Sequence, residues 1–91
     1  MKFYICYDIS EDKIRSNVVS YLETFAHRVQ YSVFVCSLEE KAAAKVRKDL
    51  VRLTKESETR LLLMIPVCKS CEGKTWMKGT PLESAEKCVV V

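Results

Sequence analysis

This 91-residue sequence predicts an α+β fold, one antiparallel sheet with two helices on one face. Three observations carry the prediction. Phe3, Tyr4, Ile5, Cys6 and Tyr7 make a β-branched and aromatic run of strand length that stops at Asp8. Two later stretches repeat apolar residues at spacings of three and four, the pattern of an amphipathic helix. Residues 61–67 form the longest continuously apolar run, which is strand-sized and far short of a membrane span. The length suits one domain, and an apolar content of 48 % is enough for a core. A domain this small leaves much surface exposed, which favours completion by a partner, commonly a second copy.

The elements follow in order. After the first strand, Ser10, Glu11 and Asp12 open a helix expected over residues 11–25, with Ile14, Val18, Tyr21, Leu22 and Phe25 on its buried face. Lys13, Arg15, Ser16, Asn17, Ser20 and Glu23 cover the other face. Arg28, Val29 and Gln30 read as a short strand, Tyr31 and Ser32 as a bend, and Val33 to Cys36 as the returning strand, although Tyr-Ser is a poor tight-turn pair. Ser37 followed by Glu40 has the capping-box spacing, so a second helix is expected to about Thr54. Ala43, Val46, Leu50 and Leu53 form its buried stripe. Lys41, Lys45, Lys48, Arg52 and Lys55 lie opposite, within an arc of roughly 80° at about 100° per residue.

Residues 61–67 are expected as a central strand whose ladder weakens or ends at Pro66. Beyond it, Thr75 to Lys78 read as a short strand before the turn signal Gly79-Thr80-Pro81. Residues 88–91 read as a strand pairing with a sheet edge, including that of a second subunit. The order strand, helix, strand, strand, helix, strand is the ferredoxin-like βαββαβ arrangement. Residues 1–67 form that core and 68–91 an extension within the same domain. The sheet's uncovered face calls for self-association.

Composition narrows the functional classes. The net charge of +3 permits nucleic-acid binding without demanding it. Five cysteines, an odd number scattered among apolar residues, point to a reduced, cytoplasmic chain rather than a disulfide scaffold. No targeting segment is legible. Asp8, at the mouth of the first strand, either carries chemistry or only shapes the strand-to-helix turn.

Tyr7-Asp8-Ile9-Ser10, followed by the basic helix and by Arg28-Val29-Gln30-Tyr31-Ser32-Val33-Phe34, resembles the small CRISPR-associated adaptation proteins, the Cas-two family. The resemblance covers roughly residues 2–67; beyond, Gly79 and the closing valines are the familiar points. It implies a ferredoxin-like homodimer in which the C-terminal strand joins the partner's sheet. It implies metal-dependent cleavage of single-stranded RNA or double-stranded DNA, and a complex with the CRISPR integrase during spacer acquisition. The motif carries the family's metal-binding aspartate onto Asp8. Val35 departs from the pattern, since many members have glutamate there. A toxin-type ribonuclease related to virulence-associated protein D shares the fold and the strand-end aspartate and is the alternative outside CRISPR.

Each chemistry has named residues. For cleavage, one Asp8 per chain cannot cage magnesium, but two copies facing across a two-fold axis can share one ion, with manganese as substitute. Tyr7, Ser10, Tyr31 and Ser32 offer hydroxyls, and Arg15 and Arg28 guanidinium groups, for positioning phosphate or water. As a non-catalytic alternative, the stripe Lys41, Lys45, Lys48, Arg52 and Lys55 is a track for a duplex backbone, or simply a solvated helix face. His27, the single histidine, is a general base or a structural group. Cys68 and Cys71 form a Cys-x-x-Cys, which is half a zinc site, a redox pair if set at a helix start after a strand, or incidental thiols. Trp76 either stacks on a base or covers a protein contact.

Overall fold

The computed structural model describes residues 1–82. Four strands and three helices alternate as β1 (Lys2–Asp8), α1 (Asp12–Glu23), β2 (His27–Gln30), β3 (Val33–Ser37), α2 (Glu40–Leu53), β4 (Leu61–Val67) and α3 (Lys69–Lys74). The sheet is antiparallel throughout, in the order β2-β3-β1-β4. This is the ferredoxin-like arrangement the element order predicts.

Alternation along β1 assigns the two faces. Phe3, Ile5 and Tyr7 point to the helices and are buried. They meet Phe34 and Cys36 of β3, Val18 and Leu22 of α1, and Ala43, Val46 and Leu50 of α2 in one core. Both long helices therefore cover the same face. Tyr4, Cys6 and Asp8 point the other way, onto the open face.

Several local expectations are corrected. Ser37 does not cap α2: it closes β3, opposite Lys2. The Met1 ammonium donates to the Leu38 carbonyl at 3.0 Å, and the Leu38 amide donates to the Met1 carbonyl at 2.9 Å. The extended backbone thus outlasts Ser37, and α2 starts after Glu39, which makes no side-chain cap. Helix α2 ends at Leu53, so Lys55 lies beyond it.

Strand β4 is an edge strand among the described residues, not a central one, and it continues through Pro66 to Val67. An edge tolerates the missing amide donor, because only one side of the strand has a neighbour. The β2–β3 hairpin turns through Tyr31 and Ser32 with no positive φ. It therefore lacks the turn types that match strand twist, and its register slips between Arg28 and Gln30 to absorb the difference.

After β4 comes α3, which the sequence reading missed. Residues 75–78 form no strand. Gly79 takes φ of 109°, and the Leu82 amide then donates to the Val29 carbonyl at 3.0 Å, so the tail crosses to β2. The strand expected over residues 88–91 falls outside the described residues.

Candidate nucleic-acid and metal site

Asp8 is the last residue of β1 and is exposed at the end of the open face. Its backbone is braced from both sides. Its carbonyl accepts from the Arg60 amide at 3.0 Å. The following turn is anchored by buried Ile9 and gripped by Arg15, whose guanidinium donates to the Ile9 carbonyl at 3.0 Å and the Ser10 carbonyl at 3.4 Å and pairs with Asp12. Arg15 is thus a positioning residue for the Asp8 turn, and Ser10 contributes its carbonyl to that grip.

The loop that reaches Asp8 is itself held by Glu11. One Glu11 oxygen accepts from Ser57 Oγ at 2.6 Å and the other from the Glu58 amide at 3.0 Å. The bond from Ser57, followed by that from Glu58, holds the Glu11 carboxyl below its usual range. No pattern in the sequence linked residue 11 to residues 57 and 58, because the contact is tertiary.

The other positioning candidates gather on the opposite side of the sheet. Tyr7, Arg15, Arg28, Tyr31 and Ser32 line one cleft of about 460 Å³ between α1 and the β2–β3 turn. Tyr7 donates to the Tyr31 carbonyl at 2.8 Å, and burial pushes its phenol pKa up against the opposing pull of Arg28 and Arg15. The Arg28 guanidinium lies over the Phe34 ring at 5.2 Å, and its buried Nε has no hydrogen-bond partner among the described residues. Asp12, Ser16, Val19, Ser20 and Glu23 complete the cleft, one face of α1 at helical spacing. Tyr7 and Asp8, adjacent in sequence, therefore serve different faces, as strand alternation requires.

On α2, Lys41, Lys45, Lys48 and Arg52 are exposed. Asp49, not singled out in the sequence, interrupts the stripe. It pairs with Lys45 at 2.7 Å and Arg52 at 3.5 Å, and accepts from Tyr21 Oη at 2.6 Å. The bond from Lys45 and then that from Tyr21 bring Asp49 down to about 2. Burial, then the carboxylate, push Tyr21 up to about 12. Among the described residues Lys41, Arg47, Lys48 and Lys55 make no ion pair, so their charges are not neutralised as those of Lys45 and Arg52 are.

The β4 edge of the open face is apolar. Leu61, Leu63 and Ile65 of β4 point outward with 47 %, 41 % and 40 % exposure. They stand beside Asp8, Cys6 and Tyr4 respectively, and Asp8 terminates this patch. Val35, also on this face, is paired with Tyr4 and so lies four residues along from Asp8. At about 3.3 Å per residue that is roughly 13 Å, too far for a carboxylate at position 35 to share an ion with Asp8 of the same chain. Val35 in place of a glutamate therefore removes no ligand from within reach of Asp8 on the same chain.

Among the described residues, no three His, Cys, Asp or Glu side chains converge as a metal cage. An exposed carboxylate on a braced turn nonetheless suits a hard divalent cation that keeps most of its waters. Also among these residues, no helix is long and apolar enough to cross a membrane.

The sequence profile described as CRISPR associated protein Cas2 matches residues 1–75. The chain is 34 % identical over 93 residues to a CRISPR-associated endoribonuclease Cas2 of Chloroflexus aurantiacus, covering all of both chains. It is 51 % identical over 79 residues to one of Synechocystis, covering 85 % of this chain and 83 % of that one. The fold superposes on the crystal structure of Streptococcus pyogenes Cas2 with a TM-score of 0.72 and 21 % identity, covering 87 % of this chain and 100 % of that one. With the family profile spanning most of the chain and one relative matching it from end to end, this protein belongs to the CRISPR-associated Cas2 family.

Proposed function

We propose that this protein is a metal-dependent nuclease, cleaving phosphodiester bonds of single-stranded RNA or double-stranded DNA as a homodimer, and a scaffold for the integrase–DNA complex in CRISPR spacer acquisition. The position of Asp8 carries the reading: a charged, braced carboxylate at the rim of an exposed apolar sheet face. Pairing two copies over that face removes Leu61, Leu63 and Ile65 from water and draws the two Asp8 side chains toward the seam. The endoribonuclease names of the Chloroflexus and Synechocystis relatives support the activity class.

The two Asp8 side chains, one from each subunit, would together hold one magnesium ion, with manganese as substitute. When bound, such an ion polarises a phosphate oxygen and lowers the pKa of a bound water. The chain's own part is geometric. Arg15 and the Arg60 amide keep the Asp8 backbone fixed, so the carboxylate reaches its ligand without a reordering cost. Lys41 and Lys48 attract the phosphate backbone from α2.

The test is cleavage of a labelled single-stranded RNA and a short DNA duplex by purified wild type and Asp8→Asn. Wild type should need magnesium or manganese, stop with chelator and speed up with pH. Asp8→Asn should fall to background while still associating with the integrase. Chelator-resistant cleavage that survives in the variant would refute the metal role. Loss of integrase binding in a folded Asp8→Asn would make Asp8 structural.

A further inference from the structure

The Cys-x-x-Cys found in the sequence occupies a defined place in the fold. Cys68 follows directly on β4, and Cys71 lies one turn into α3. Both are exposed free thiols, whereas Cys36 is buried and Cys6 half-buried in the sheet. The Cys71 amide donates to Cys68 Sγ at 3.5 Å, so the first sulfur is folded back over the second residue. The Cα atoms of residues three apart in a helical turn stand about 5 Å apart, within the Cα span a disulfide accepts.

The backbone around the pair is held at both ends. Val67 is paired with Lys2, and the same lysine bridges to Glu72 at 3.7 Å. Thr75 Oγ1 donates to the Cys71 carbonyl at 2.9 Å. Among the described residues no third His, Cys, Asp or Glu joins the two sulfurs.

We propose that Cys68 and Cys71 form a thiol–disulfide exchange site that reacts with low-molecular-weight disulfides and closes reversibly into an intrachain bridge at the root of the C-terminal extension. The Cys68 thiolate attacks one sulfur of a small disulfide such as oxidised glutathione. The disulfide bond breaks, a mixed disulfide forms, and one thiolate leaves. The Cys71 thiol, once deprotonated, then attacks Cys68 Sγ and expels the second small thiolate. Two protein thiols are oxidised, one small disulfide is reduced to two thiols, and the two protons the protein thiols give up end, by way of solvent, on the two small thiolates. The roles follow from polarity: the Cys71 amide and thiol hold Cys68 below the usual thiol range, while Cys68 raises Cys71. The lower-pKa thiol is the attacking one.

The full chain is incubated with oxidised glutathione, the remaining thiols are alkylated, and the peptides are mapped by mass spectrometry. Wild type should lose two hydrogens, yield a peptide bridged between Cys68 and Cys71, and recover both thiols with dithiothreitol. Cys71→Ser should trap a glutathione adduct on Cys68. Before oxidation, Cys68 should alkylate faster than Cys71 near neutral pH, as the opposite directions of their shifts imply. The proposal is overturned if both thiols stay alkylatable, if the bridge joins other cysteines or two chains, or if Cys71→Ser carries its adduct elsewhere.

Discussion

Asp49 accepts from Tyr21, Lys45 and Arg52 at once and ties α2 to α1. Its lowered pKa fixes a sign. The folded state holds the Asp49 proton less readily than the unfolded chain, so its stabilisation is complete above the ordinary aspartate value of about 3.9. It is lost as pH falls through about 2. Tyr21 acts at the other end of the scale: its contribution is complete below about 10 and is lost as pH rises through about 12. Urea midpoints of wild type and Asp49→Asn should differ at pH 7 and converge near pH 2. In the core, Phe34 is fully buried, and Phe34→Ala should cost about 3–5 kcal/mol by chemical denaturation. Asp8 was legible as a single residue because a charge ends an apolar strand there. Asp49 and Glu11 were not, because their partners on other elements are unrelated by any local spacing.

The proposed duplex binding and self-association fall on two different elements. On α2, neutralising Lys41 and Lys48 together should reduce the salt slope of duplex binding by about 2, near one unit per phosphate contact. Lys45→Gln should change it less, since Asp49 already engages Lys45. On β4, Leu63→Lys should shift a dimer toward monomer in light scattering, with the helical core intact, because Leu63 points outward with 41 % exposure. The helix stripes were legible from residues such as Val18, Leu22, Val46 and Leu50, whose three-and-four spacing survives into the core. The capping reading failed at Ser37 because Met1 extends the ladder past it, a pairing between distant residues. Helix α3 was missed because its six residues, Lys69–Lys74, bury nothing and so leave no amphipathic signal. The edge position of β4 was hidden for a related reason. An apolar run suits a strand buried by its own chain and one awaiting a second copy equally well.

At the scale of the whole molecule, helices protect one sheet face and leave Leu61, Leu63 and Ile65 in water on the other. If two Asp8 residues share one ion, specific activity should fall on dilution below the dimer dissociation constant and recover on reconcentration; activity independent of concentration in that range would count against the shared site. The tie from Glu11 to Ser57 and Glu58 has its own bearing on such assays. That carboxylate touches no reacting atom, yet the loop it restrains leads to the Arg60 amide that steadies Asp8. Because the Glu11 pKa is lowered in the fold, the tie is complete above the ordinary glutamate value of about 4.3 and slackens as acid carries the pH through the lower one. Under the proposed nuclease role, the acidic limb of a rate profile then carries the mark of a strut letting go. Glu11→Gln, which abolishes that titration, should change the steepness of the limb and leave the alkaline plateau standing.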